Sequence, residues 1–593
     1  MHTSIASVCL SGGLLDKLHA CAEAGFDGVE IMDADLIAAP ESPEEIRALC
    51  ERLGLRIDMF QPFRDAEGVT EDVFEDTLRR AEAKFEIMNR LGTDLMLVCS
   101  NVGTATIDDD EVAARQLGEL ADRAAVHGIR LAYEALAWGR FVDDYRRTWS
   151  IVQRADRPNL GICLDSFHIL SRGHDPAGIE EIPAEKIFFL QLADAPALDM
   201  DVLSWSRHHR LFPGEGSFDL VDFMTHVVRA GYTGPWSLEV FNDTFRQTDT
   251  VRTAAHAQRS LVWLADRTAT ANGWDDGRLG SAQPATALDF VEVAGADLAE
   301  VDELLAQLGF AFEGRHRSKP VRLWSAGSAR VILNEQVRHD EPRLSGIGLQ
   351  VPDAAAAVDR AIALGSQSIF RRTYEGEQNL RGVPAPDGTQ VFWSSLPAEE
   401  SWLQEFEGGT DADDGLVGEV DHINLAYAWQ DFDEAVLFMS SALSLHAEPP
   451  ADVPGPQGLI RSQVMRTPDG IVRVPINLAP PTAAPPARHI AVRTDDVFAV
   501  ARRAKQRGID HLRIPANYYD DLSARFGLPE DLLASLRELD LLYDRDAEGE
   551  FIHFYTRTIG DVFFEVVERR GGYDGYGGAN APIRLAAQRA MGR

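Results

Sequence analysis

Through the first 270 residues, eight short apolar runs alternate with longer segments of helical period, and that rhythm constrains the fold more than any other feature. The runs are SIASVCL (4–10), GVEIM (28–32), RIDMF (56–60), DLMLVCS (94–100), RLAYEALA (130–137), LGICLDSFH (160–168), IFFLQLAD (187–194) and WSLEVFND (236–243). Segments such as PEEIRALCERLG (43–54) and DEVAARQLGELADRAAVHG (110–128) carry apolar residues at three-and-four spacing and stop at Gly. Eight strand–helix units in about 270 residues predict an α/β TIM barrel over 1–270, its near-continuous apolar strands covered by helices. A doubly wound open sheet is the competing arrangement, but no GxGxxG follows the first strand.

Beyond the last helical segment, residues 271–285 lose apolar period and gain Gly, Asp and small residues, so they read as a linker. The pattern then becomes strand, helix, strand in two copies, an α+β internal repeat over 286–400 and 417–593. An acidic stretch, EFEGGTDADDG (405–415), separates the copies.

The chain has 593 residues, 94 acids against 57 bases and a formal charge of -37, a balance that repels phosphate backbones and anionic lipid. Nucleic-acid and membrane partners are therefore not expected. A small anionic molecule, and further copies of the chain at most, remain. All five cysteines (Cys9, Cys21, Cys50, Cys99, Cys163) lie in the first 163 residues without a CxxC pair, most of them inside apolar strand or helix patterns, and no targeting segment or run of 18 apolar residues is read. That usage predicts a cytoplasmic protein with reduced thiols.

In a TIM barrel the chemistry sits at the C-terminal ends of the strands, so polar residues that interrupt the late apolar runs are the candidates. Glu134, Asp165, Gln191 and Glu239 fall one on each of strands five to eight. Any one of them alone reads as a capped strand-end carboxylate or an Arg partner. Three carboxylates and an amide at one mouth repel one another unless a cation neutralises them, and an all-oxygen set suits Mg²⁺, Mn²⁺ or Co²⁺. His168, three residues after Asp165, is a candidate general base or a hydrogen-bond partner of a ligand carboxylate. Arg64, Arg210 and Ser206 sit on loops of the same face as candidates for an anionic substrate, Arg210 and Ser206 with a catalytic role. Asn101 is a candidate for a ring hydroxyl, and PGEG (213–216) reads as a turn.

With those residues in place, the first 270 positions resemble the xylose-isomerase-like TIM barrel superfamily, in which late-strand Glu, Asp, His and Glu hold a divalent metal. Gln191 stands where the sugar epimerases and the related endonuclease of that superfamily have His. That departure, with LDSFHIL and the loop SWSRHHRLFPGEG, is similar to the bacterial 3-dehydroshikimate dehydratase family. The resemblance implies a lyase that converts 3-dehydroshikimate to protocatechuate and water: removal of the C4 proton, an enediolate, then loss of the C5 hydroxyl. A sugar isomerase or epimerase is the alternative within the same barrel class.

The repeat offers an internal comparison. Copy two carries His422, His489 and Glu565 in its strands, where copy one has Phe290, Gly346 and, by approximate register, Trp393. Two imidazoles and one carboxylate form the facial triad of non-haem iron sites. The region from about 286 resembles 4-hydroxyphenylpyruvate dioxygenase, a vicinal-oxygen-chelate fold, through PANYYDDL (515–522) and GYGGAN (575–580). It departs at FIHFYT, which carries His553 and Tyr555, at PINL with Leu478, and at Asn580–Ala581. The resemblance implies a second divalent metal, Fe or Mg, in a domain of unassigned activity. The opposite reading makes this half an iron-dependent dioxygenase with the barrel as scaffold.

Overall fold

The computed structural model describes every residue except 276, 337–338, 398–399, 411–414, 456–457, 479–486 and 592–593. Part of the acidic stretch between the copies, and position 276 of the expected linker, thus lie outside the described residues. The chain divides into two compact units, Met1–Leu279 and Gly280–Arg593. Among the described residues no helix is long and apolar enough to cross a membrane.

The first unit is a closed parallel barrel of β1 (Thr3–Ala6), β2 (Gly28–Met32), β3 (Arg56–Phe63), β4 (Leu95–Cys99), β5 (Arg130–Glu134), β6 (Leu160–Asp165), β7 (Ile187–Leu192) and β8 (Trp236–Leu238), in sequence order. Ile5 of β1 pairs with Leu238 of β8 and closes the ring, which excludes the open doubly wound sheet. The apolar runs outlast several strands, because their C-terminal residues turn over the barrel mouth. Ser7–Cys9 is a 3-10 turn and Ser166–Leu170 a short helix. Helix boundaries follow local chemistry. The helix Pro43–Leu53 starts at a Ser42–Glu45 capping box and ends at Gly54, whose φ of 74° suits glycine.

Strand side chains alternate faces, so two sets of buried residues separate cleanly. Met59, Leu95, Leu97, Cys99, Ala132, Cys163 and Phe189 pack together inside the ring. Their strand neighbours Met96, Val98, Leu131, Tyr133, Ile162, Leu164 and Leu190 join the layer between strands and helices. Two residues beyond Ala132, Cys163 and Phe189 come Glu134, Asp165 and Gln191, which the same alternation turns inward at the mouth. All five cysteines are buried and free.

Among the described residues the second unit holds an eight-stranded and a nine-stranded sheet, one per copy of the repeat. The strand Ala287–Ala294 is followed by the helix Ala299–Leu308, and the strand Val420–Tyr427 by the helix Phe432–Ser441. Register corrects one sequence-based correspondence. His422 pairs with Ala491, which pairs with Glu565; in the other copy Phe290 pairs with Gly348, which pairs with Phe392. The counterpart of Glu565 is therefore Phe392, and Trp393 faces the opposite side of its strand. Phe290 and Phe392, with ring centroids 6.1 Å apart, belong to an apolar cluster with Val321, Leu323, Ile332 and Trp402. One copy fills with rings the place that the other fills with ionisable groups.

Candidate active site

Asp165 ends β6 and caps the short helix after it: its Oδ1 accepts from the backbone N–H of Phe167 (2.6 Å) and of His168 (3.2 Å). That cap leaves Oδ2 free to face the mouth. Gln191 is the register partner of Asp165 on β7, and Glu239 follows β8 directly. Ligand atoms of Glu134, Asp165 and His168 lie within 4.8 Å of one another.

A guanidinium reaches the same place. Arg210 is 1% exposed, and its Nη1 donates to Asp165 Oδ2 (2.8 Å), Glu239 Oε2 (3.1 Å) and the Glu239 carbonyl (2.9 Å). Its Nε and Nη2 both donate to Ser206 Oγ, at 3.1 and 2.9 Å, and Nη2 lies 3.3 Å from His168 Nε2. Asp165, His168, Ser206, Arg210 and Glu239 thus form one buried network. Arg64 is exposed on the loop after β3 and takes no part in it. Asn101 is taken up by two neighbouring loops, donating from Nδ2 to the Glu67 carbonyl after β3 (2.9 Å) and accepting from Thr104 N–H of its own loop (3.2 Å).

The donor set fits a hard divalent cation. Among the described residues, Glu134 Oε1 is buried without a hydrogen-bond partner and Oε2 has only the Cys99 thiol at 3.5 Å. Burial, then repulsion from Asp165 and Glu239, pushes Glu134 well above the usual carboxylate range. Burial also raises Glu239 to about 7, although Arg210 opposes it. Asp165, despite its burial, is held low by Arg210. One guanidinium does not neutralise three carboxylates, and the surplus is the charge that a bound cation would balance.

Sequence reasoning missed Glu30. It is fully buried on β2, and its Oε2 accepts from Gln61 Nε2 (2.6 Å) and Gln191 Nε2 (2.7 Å) while its Oε1 accepts from the Ser237 hydroxyl. By taking the Gln191 amide N–H, Glu30 leaves Gln191 Oε1 as the atom open to a cation. The signal was present in GVEIM, a carboxylate inside an apolar strand, but on an early strand.

His168 is fully enclosed, and burial pushes its pKa down to about 3 with Arg210 and Arg207 assisting against Asp165. Two donors face its ring: Ala137 N–H at Nδ1 (3.1 Å) and Arg210 Nη2 at Nε2. A neutral imidazole has one lone pair for the two, so the environment favours the uncharged ring.

In the second unit His422 Nε2, His489 Nε2 and Glu565 Oε2 lie 3.0–3.2 Å apart. Asp421, itself clamped by Arg569 at 2.7 and 2.8 Å, accepts from His422 Nδ1 (2.7 Å). Despite burial, Asp421 and Glu565 raise His422 to about 8, while burial lowers His489 to about 4. His553 Nδ1 donates to Glu565 Oε1 (2.6 Å), and its Nε2 accepts from Asn580 Nδ2 (3.0 Å). The departure at FIHFYT therefore supports the triad from behind. Three ligands on one side, the carboxylate's second oxygen already engaged, suit a divalent metal.

This architecture, a metal-ligand barrel joined to a duplicated chelate fold, defines the class of protein. Residues 18–267 match the family described as xylose isomerase-like TIM barrel, and residues 283–393 the N-terminal part of hydroxyphenylpyruvate dioxygenase. A solved structure titled xylose isomerase-like TIM barrel/4-hydroxyphenylpyruvate dioxygenase fusion protein superposes with a TM-score of 0.91 at 39% identity, over 99% of both chains. The 3-dehydroshikimate dehydratases of Pseudomonas aeruginosa and Pseudomonas putida are 43% and 41% identical, over 99% of this chain and 98% of their own. The chain belongs to the 3-dehydroshikimate dehydratase family.

Proposed function

We propose that the barrel dehydrates 3-dehydroshikimate to protocatechuate, with Glu134, Asp165, Gln191 and Glu239 holding Mg²⁺, Mn²⁺ or Co²⁺. The observation that carries this reading is the buried oxygen set at the mouth of a barrel akin, along its whole length, to dehydratases of that name. When bound, the cation supplies Lewis-acid polarisation of the C3 carbonyl and C4 hydroxyl oxygens.

The residues do the rest. His168, kept neutral by its surroundings, has a lone pair at working pH and takes the C4 proton at Nε2. For that, the ring proton of the neutral form sits on Nδ1, so the Ala137 N–H gives up its bond there in the reactive tautomer and Arg210 Nη2 yields Nε2 to the incoming proton. Asp165, 3.7 Å from Nε2, stabilises the resulting imidazolium. The C5 hydroxyl leaves as water with one proton, and loss of a C6 proton with protonation of the C3 oxygen completes the aromatic ring. Arg210 and Ser206 hold the ligand carboxylates and the imidazole in one geometry. His422, His489 and Glu565 hold a second divalent metal, Fe or Mg.

Incubation with 3-dehydroshikimate and each of Mg²⁺, Mn²⁺ and Co²⁺ should develop the aromatic absorbance of protocatechuate. No absorbance with any of the three refutes the reading.

A further inference from the structure

Arg210 was a candidate for the substrate carboxylate, but its donors are spent on Asp165, Glu239, Ser206 and His168. Three residues earlier, on the helix Val202–His208, stands Arg207. Its side chain is half-buried, with its guanidinium over the Phe241 ring at 4.8 Å and the Trp138 ring at 5.7 Å. Among the described residues it makes no hydrogen bond and no ion pair. In a chain with 94 acids against 57 bases, a partly desolvated arginine without an anion stands out.

The two rings tie this cation to the chemistry. Trp138 meets His168 edge-on at 5.1 Å, and Phe241 also lies under Arg210 at 5.3 Å. Arg207 acts electrostatically on both His168 and Glu239, so its charge reaches the pocket. Rings that pack on a guanidinium fix its plane and leave its N–H edge for a bidentate anion. Arg64 is exposed and has no such support.

We propose that Arg207 receives the ring carboxylate of the substrate, an inference that rests on the dehydratase reading. The carboxylate is on C1, opposite C4 across the six-membered ring. A cation fixed on an aromatic shelf apart from the carboxylate ligands therefore orients C4 toward His168 and the metal ligands. Arg207 is a substrate-binding and orienting residue, while Arg210 organises the site.

The test compares two ligands of the full-length, metal-loaded protein: protocatechuate and catechol, which keeps the diol and lacks the carboxylate. A lost charge-assisted carboxylate contact should weaken protocatechuate binding to Arg207→Met by about 10- to 100-fold and leave catechol affinity unchanged. KM for 3-dehydroshikimate should rise in parallel, and Arg207→Lys should recover part of the loss. Equal weakening of both ligands, or of neither, overturns the proposal. If Arg207→Met fails to fold, the same comparison on Arg207→Lys decides, since loss of the planar fork should still weaken protocatechuate alone. Absence of turnover by the unaltered protein would instead strike the dehydratase reading.

Discussion

Replacement of Arg210 by Met tests whether the barrel mouth is built for a cation. The substitution keeps most of the side-chain volume but removes the guanidinium that meets Asp165 at 2.8 Å and Glu239 at 3.1 Å. Both carboxylates are buried, and stripping one partner from a buried ion pair costs about 3–5 kcal/mol. For a body of this size each kcal/mol shifts Tm by roughly 2–4 °C, so the barrel transition should fall by roughly 6–20 °C in chelator. A divalent cation in the Glu134, Asp165, Gln191 and Glu239 set neutralises the same carboxylates, so saturating Mn²⁺ should return much of the loss. By linkage, the variant must then bind Mn²⁺ more tightly than the unaltered chain. Scanning calorimetry with and without Mn²⁺, and Mn²⁺ titration of both proteins, measure the two sides. An equal fall in Tm with and without metal refutes the reasoning, because Arg210 would then act by packing alone.

Further expectations follow from single residues. Burial raises Glu67 to about 7, its Oε2 is buried without a partner, and one oxygen, Oε1, accepts from both Asn101 N–H (2.7 Å) and Tyr133 OH (3.0 Å). A raised carboxyl binds protons more readily folded than unfolded, so stability should decline as pH rises from the ordinary carboxylate value to about 7, by at most ~3 kcal/mol. Denaturant melts at pH 5 and pH 8 should show that decline, and Glu67→Gln, which keeps the Oε1 bonds, should flatten it; an unchanged slope would count against Glu67 as its source. Glu239→Ala should abolish dehydratase turnover while His489→Ala spares it, and the reverse result would move the chemistry to the second unit. His168→Ala should lower kcat at least 100-fold with the barrel metal retained by elemental analysis; loss of the metal would make His168 a supporting residue.

The barrel was legible because its signal is periodic. Alternation along β5, β6 and β7 turns Glu134, Asp165 and Gln191 inward, and any reading that finds the strands finds these residues. What the chain alone does not show is hydrogen-bond commitment. Arg210 and Asn101 sit in suitable places by position, yet one is saturated by Asp165, Glu239 and Ser206 and the other by Glu67 and Thr104. Those bonds depend on how the helix Val202–His208 with the segment after it, and the loops around 67 and 101, return to the mouth, which no local pattern encodes. Glu30 differs again: it lies on β2, an early strand, apart from the four late strands whose ends carry the ligands. Trp393 in place of Phe392 shows the sensitivity of strands to a single step of register, which moves a side chain to the other face.

The charge balance of the mouth bears on how an anion enters a chain of net charge -37. Glu134, Asp165 and Glu239 bring three carboxylates; against them stand buried Arg210, which meets Asp165 and Glu239 through Nη1, and half-buried Arg207, with Arg64 exposed at the rim. Without a metal the buried ligands keep a surplus of negative charge inside a negative protein, and the pocket offers an anionic ring acid little net attraction. With a divalent cation among the ligands it becomes locally positive, in a buried place where solvent screens weakly. Polarising the carbonyl and attracting the carboxylate-bearing substrate are then two effects of one bound charge. The raised carboxyls in the pocket describe the same surplus of negative charge from the protein's side. Substrate affinity should therefore follow metal occupancy, and Arg207 should direct the orientation of an anion that the metal helps to draw in.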